Sequence, residues 1–248
     1  MPSNEECTMQ LSFSIYTTMG NRPDNQDSAQ VGALGRSGLY AIVADGLGGH
    51  GGGRQASQIA LQALLSCQGL GRLPEAREIV QWMALANREI LSARLSPTQM
   101  KTTAVCLFLE KNRAIWAHIG DSRLYHFVDG VLKDYTLDHS VCQVAVMLGE
   151  ITRREIPGHP DRNRLLKVLG DETAAPEVHA PVTLSPGQHA FLLCSDGLWE
   201  RLVEEEIQLD LHKSPTPDAW LDFLRRRAEK RKSIDVDNNT AIAVFLDL

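Results

Sequence analysis

The chain has 248 residues, of which 43% are hydrophobic and 23% charged, and carries a formal net charge of −6. That balance belongs to a globular protein with a core, and the acidic excess argues against a nucleic-acid surface, which needs clustered lysine and arginine. No apolar run approaches the ~18 residues of a membrane span, and the first ten residues lack the basic-then-apolar order of an export signal. The expected setting is therefore the cytoplasm, away from membranes, and the expected form a monomer with one domain over 1–248. Five cysteines (Cys7, Cys67, Cys106, Cys142, Cys194) include no C-x-x-C pair and are odd in number, which supports neither a disulfide framework nor a zinc ribbon. Cys106 and Cys194 lie inside apolar runs and read as plain buried residues.

In chain order, apolar runs rich in strand formers come first at 11–17 (LSFSIYT) and 39–44 (LYAIVA). Helical spacing follows in Ala56, Ile59, Ala60, Ala63 and Leu64, and again in Ile79, Trp82, Met83, Ala86 and Ile90, each set marking one apolar face. Two further strand-like runs, 102–109 and 113–119, precede a hairpin: Arg123–Val128 and Val131–Tyr135 flank Asp129-Gly130, a dipeptide that accepts the positive φ of a type I′ turn. Val141, Val144, Ala145 and Leu148 mark a short helix ending at Gly149, and Thr152-Arg-Arg-Glu155 has the form of a capping box. Strands at 189–194 and 240–246 enclose a late helix marked by Trp220, Phe223, Leu224 and Ala228. Strands, then paired helices, then strands again imply an α+β domain of stacked layers rather than alternating βαβ units.

The acids stand at strand mouths. Asp45 directly follows LYAIVA, Asp121 follows AIWAHIG, Asp196 follows AFLLCS, and Asp237 precedes the strand begun by Thr240. A single aspartate beside glycine is usually a turn former, but four so placed suggest convergence on one end of a scaffold. Converging carboxylates repel one another unless cations bind, and an all-oxygen set suits Mg²⁺ or Mn²⁺. Two such ions suit hydrolysis of phosphate esters, because they lower the pKa of water and neutralise phosphoryl oxygens. Arg22, in Gly20-Asn-Arg-Pro-Asp-Asn-Gln-Asp27, offers a fork for bidentate phosphate bonding.

Seven segments in order, GNRPDNQDS (20–28), VADGLGGHGGG (43–53), TTAV (102–105), GDSRLY (120–125), LDHS (137–140), CSDGLWE (194–200) and DNNTAIAV (237–244), resemble the bacterial branch of the PPM, or PP2C-type, metal-dependent serine/threonine protein phosphatases. The resemblance implies a four-layer αββα sandwich of two antiparallel sheets flanked by helices, with two Mn²⁺ or Mg²⁺ ions at one end. By similarity, Asp45 bridges the two ions, the backbone carbonyl of Gly46 binds one, and Asp196 and Asp237 complete the other. Asp27 acts in the outer shell, Asp121 with Asp196 forms a third metal site, Arg22 holds substrate phosphate, and residues 138–170 form a flap beside the site. The implied partners are phosphorylated proteins and a cognate Ser/Thr kinase, with no nucleic acid and no membrane.

Some members of the family have a histidine after the Asp-Gly pair as general acid; here that position is Leu47, and His50 in the following glycine-rich turn reads as structural. Lys101 stands where the family often has glycine. The basic stretch Arg225, Arg226, Arg227, Lys230, Arg231, Lys232 reads as a solvated helix face before it reads as a docking surface. A cysteine-nucleophile phosphatase is excluded because no cysteine has an arginine six positions on, and a calcium loop because Thr240 and Leu246 replace its glycine and glutamate. The alternative of another class is a PP2C-like binding module without activity, which would be expected to lack a metal ligand or the arginine.

Overall fold

The computed structural model describes residues 10–48, 51–94, 100–231 and 237–248. Two antiparallel sheets face each other. One has the order Gln10–Thr18, Asn239–Asp247, Gln188–Cys194, Arg123–Val128, Val131–Tyr135; the other runs Glu177–Val178, Arg113–Ile119, Ala104–Glu110, Gly38–Ala44, Ser28–Leu34, with Val182–Thr183 also on Arg113–Ile119.

The central strands are largely apolar because both of their faces are covered. In Gly38–Ala44, Leu39, Ala41 and Val43 join Val105, Leu107, Phe191, Leu193, Ile242 and Val244 between the sheets. Tyr40, Ile42 and Ala44 point the other way, onto Ala56, Ala60, Ile79 and Met83 of the helices Gly52–Leu64 and Ala76–Ala93. The outer face of the first sheet is sealed by Trp220, Leu221 and Leu224 of the helix Pro217–Lys230. Trp220 is wholly buried, donates its indole N–H to the Ile207 carbonyl and meets Phe127 edge-on. The result is the expected αββα sandwich.

The Asp129-Gly130 hairpin forms, with φ of 48° and 77°. The Thr152–Glu155 capping box is present, and Gly149 ends the short helix Val141–Met147 with φ 74°. That helix departs from its expected face, however: Val144, Met147 and Leu148 are exposed, and Cys142 and Gln143 are the buried residues. Some elements had no clear signal, among them a strand and a helix. Ser28–Leu34 is an edge strand interrupted by Gly32, and Glu204–His212 opens on three glutamates. Among the described residues no helix is long and apolar enough to cross a membrane.

Candidate metal centre and active site

Strand direction brings the aspartates together. Gly38–Ala44 and Arg113–Ile119 are each antiparallel to Ala104–Glu110, so they run the same way and deliver Asp45 and Asp121 to one end of their sheet. In the facing sheet Cys194 lies opposite Ala241 of the antiparallel neighbour, so Asp196, just past one strand, stands beside Asp237, just before the other. These four carboxylates, Gly46 and Arg22 line one cleft of about 490 Å³, which also takes in Asn163 and Leu165 of the 138–170 stretch.

Each acid is held by its surroundings. The Asp45 N–H donates to Thr103 Oγ1 (3.1 Å), and its carbonyl accepts from Thr102 Oγ1 and the Thr103 N–H, both at 2.8 Å. Gly46 leaves no room for a side chain: a Cβ would lie 2.2 Å from the Gly53 carbonyl oxygen, so the glycine permits the backbone contact that seats the helix Gly52–Leu64. Behind the cleft, Ser195 donates to Asp27 Oδ2 (2.9 Å) and accepts the Thr240 N–H (3.1 Å). Asn238 donates to the Met19 and Asp24 carbonyls and accepts the Gln26 N–H, which stitches the loop bearing Arg22 to Asp237. The TTAV, Ser195 and Asn238 positions thus have clear structural tasks that the sequence reading did not assign.

Burial and mutual repulsion push these acids upward. Burial raises Asp27 to about 7, with Asp196 adding to the effect, and raises Asp196 to about 6, with Asp237 adding and a hydrogen bond involving Asp45 opposing. Asp45 and Asp121 are pushed well above the carboxylate range, again chiefly by burial and then by neighbouring aspartates. Glu200, another member of the CSDGLWE segment with no assigned role, is raised to about 7 by burial and Asp196. Asp27 Oδ1 is buried without a hydrogen-bond partner. Buried acids held this close are stable only when protonated or when a cation shares their charge, and their oxygens are the donor type that hard divalent ions take. The residues present fit Mn²⁺ or Mg²⁺.

Arg22 stands at the rim and holds Asp237 in a two-point pair, Nε to Oδ1 at 3.0 Å and Nη2 to Oδ2 at 2.7 Å. The arginine expected to bind phosphate and an aspartate expected to bind metal are therefore neighbours. Lys101 is committed to Asp171 at 2.6 Å. The basic helix face is paired within the chain: Arg225 and Arg226 with Asp222, Arg227 with Asp210, and Arg231 with Glu206. The four described cysteines are buried and free, and burial pushes the Cys67 thiol up to about 11 and Cys194 to about 12. Cys7, His50 and Lys232 lie outside the described residues.

Fold and cleft together define a metal-dependent phosphatase architecture, and comparison with known proteins agrees. The family model described as protein phosphatase 2C matches residues 20–246. The serine/threonine phosphatase stp of Listeria monocytogenes serotype 4b is 32% identical over 92% of both chains. The structure of the Mycobacterium tuberculosis serine/threonine phosphatase PstP/Ppp superposes with a TM-score of 0.79 at 27% identity, covering 96% of this chain and 98% of that one. A PstP catalytic domain in complex with two manganese ions superposes at 0.81 and 26% identity, covering 97% and 100%. The chain belongs to the protein phosphatase 2C family.

Proposed function

We propose that the chain is a protein serine/threonine phosphatase working with Mn²⁺ or Mg²⁺. The observation that carries this reading is the cleft itself, in which Asp45, Asp121, Asp196, Asp237 and Arg22 converge with nothing in the expected set replaced. That completeness also disfavours an inactive binding module. Asp45, the Gly46 carbonyl, Asp196 and Asp237 would hold two ions, Asp121 with Asp196 a third, and Asp27 would act from the outer shell. The similar PstP domain in complex with two manganese ions supports the two-ion part of this reading. When bound, such ions make water a nucleophile at neutral pH and neutralise charge on phosphate.

The chain's own residues do the rest. Arg22 presents a planar fork at the rim, suited to two phosphate oxygens and placed to orient the ester above the carboxylates. Thr102 and Thr103 fix the Asp45 backbone so that its carboxylate need not reorganise. Asn163 and Leu165 cover one side of the cleft, the position expected of the flap read at 138–170. The substrates of this reading are phosphoserine and phosphothreonine proteins, and a cognate kinase in the same cytoplasm would supply them; the names of the similar proteins support the first part. Hydrolysis of a phosphothreonine peptide by wild type and by Asp45→Asn, with chelator and then with Mn²⁺, tests it. Turnover should require Mn²⁺ and fall by orders of magnitude in the variant; metal-independent turnover, or full activity of metal-loaded Asp45→Asn, would overturn it.

A further inference from the structure

Beside the aspartate cleft lies a second hollow of about 570 Å³, which shares Arg22, Asp196 and Asp237 with the cleft and extends away from it to Arg162, Glu200 and Arg201. Arg201 follows the short helix Asp196–Trp199, so the element that opens on a metal-type carboxylate carries a guanidinium just past its other end. The backbone there is fixed. The Arg201 N–H donates to the Leu198 carbonyl at 3.2 Å, its carbonyl accepts Arg231 Nη1 at 2.9 Å, and the neighbouring Trp199 indole N–H donates to the Asp121 carbonyl at 2.9 Å.

The other guanidinium groups around this hollow have carboxylate partners. Arg22 holds Asp237 at 2.7 Å, Arg162 Nε is 3.5 Å from Glu200 Oε1, and Arg231 holds Glu206 at 2.5 Å. Arg201 also borders a smaller hollow of about 240 Å³, where Arg153 is committed to Glu204 at 2.6 Å. Arg201 itself is partly buried, and its side chain makes no hydrogen bond or ion pair among the described residues. A guanidinium taken partly out of water without an anion loses hydration that nothing replaces, and its donors lie in a fixed plane that matches a carboxylate. The position therefore suits an anion brought by a ligand.

Resting on the phosphatase reading above, we propose that Arg201, with Arg162 on the same hollow, forms a subsite for a carboxylate side chain about two residues from the phosphorylated residue of the substrate. The spacing fits. Asp196 and Arg201 are five residues apart through one helical turn, on the order of 7 Å along the axis at about 1.5 Å per residue. Side chains two apart on an extended peptide point the same way and are roughly 6.6 Å apart. A peptide whose phosphate lies over the aspartates thus brings a neighbouring aspartate or glutamate to Arg201, and the protein favours acidic phosphopeptides. Arg22 and Arg201 then grip the substrate at two points, the first through phosphate and the second through carboxylate.

The test compares Mn²⁺-loaded wild type, Arg201→Ala and Arg201→Glu on phosphothreonine peptides that carry glutamate or alanine two positions before or two positions after the phosphothreonine. Wild type should favour one glutamate peptide over its alanine counterpart by about fivefold in kcat/KM, chiefly through KM, the upper end for a partly exposed ion pair. That ratio should fall to near unity in Arg201→Ala and below unity in Arg201→Glu. A merely structural defect would slow both peptides together and leave the ratio where it was. No preference in wild type, or a preference retained by Arg201→Ala, would overturn the subsite. Absence of Mn²⁺-dependent turnover of every peptide would overturn the phosphatase reading instead, and the same glutamate-to-alanine ratio, taken from fluorescence anisotropy of labelled peptides binding to the three proteins, then decides the subsite separately.

Discussion

The ion pair between Arg123 and Asp138 supplies a sharp test of how the base of the cleft is held. Arg123 Nε and Nη2 reach Asp138 Oδ1 and Oδ2, each at 2.7 Å, with the two side chains 6% and 2% exposed. The guanidinium also donates to the Tyr125 hydroxyl at 3.1 Å and lies 3.4 Å over the Trp199 ring, whose N–H donates to the Asp121 carbonyl. Arg123→Met strands a carboxylate in the interior, and Asp138→Leu strands a guanidinium. Breaking such a buried pair from one side costs roughly 3–5 kcal/mol, whereas replacing both partners by apolar groups is often near neutral. At roughly 2–4 °C per kcal/mol for a chain of this size, each single variant should melt ~6–20 °C below wild type. The double variant Arg123→Met/Asp138→Leu should be more stable than either single one. Calorimetric melting of the four proteins at fixed Mg²⁺ decides it: a double variant whose loss equals the sum of the singles would refute the idea that stranded charge is the cost.

Metal binding should depend on pH through the raised aspartates. Asp27 at about 7 and Asp196 at about 6 lie above the ~3.9 of an unfolded aspartate, so between about pH 4 and 7 the folded chain holds protons that the unfolded chain has released. That contribution to stability is lost as pH rises. A cation must displace those protons, so the Tm gain on adding Mn²⁺ should grow from pH 5 to pH 8. His118 and His126, pushed down to about 4 chiefly by burial, slope the opposite way below their unfolded pKa but are common to both samples; an equal gain at both pH values would count against protonated cleft aspartates. Arg22→Ala should raise KM for a phosphopeptide several-fold without lowering Mn²⁺ stoichiometry, since a guanidinium has no lone pair for a cation; unchanged kinetics would remove it from the site. Asp121→Ala should retain two tightly bound ions but lose activity most at limiting Mn²⁺, because a site with few protein ligands binds weakly. Reduced stability with full turnover and unchanged metal stoichiometry would instead leave Asp121 as a turn residue.

The sequence alone determined the elements whose cause is local or periodic. Apolar runs rich in strand formers at 39–44, 113–119 and 189–194 marked strands, the Asp129-Gly130 pair dictated its turn, and the 3.6-residue spacing after Ala56 and Ile79 placed the two outer helices. It also put an aspartate at each strand mouth. What it could not contain is which mouths coincide: that follows from two antiparallel steps within one sheet and the opposed ends of Gln188–Cys194 and Asn239–Asp247 in the other. Ser28–Leu34 and Glu204–His212 were illegible because an edge strand and a half-buried helix take their order from neighbours rather than from an apolar pattern. The exposed Val144 and Leu148 show the converse, an apolar spacing that tertiary packing leaves uncovered. Burial, too, is tertiary: only the closed cleft raises Asp27 and Asp196 and pairs Arg22 with Asp237, because desolvation and charge interaction depend on distances that exist only after the sheets have stacked.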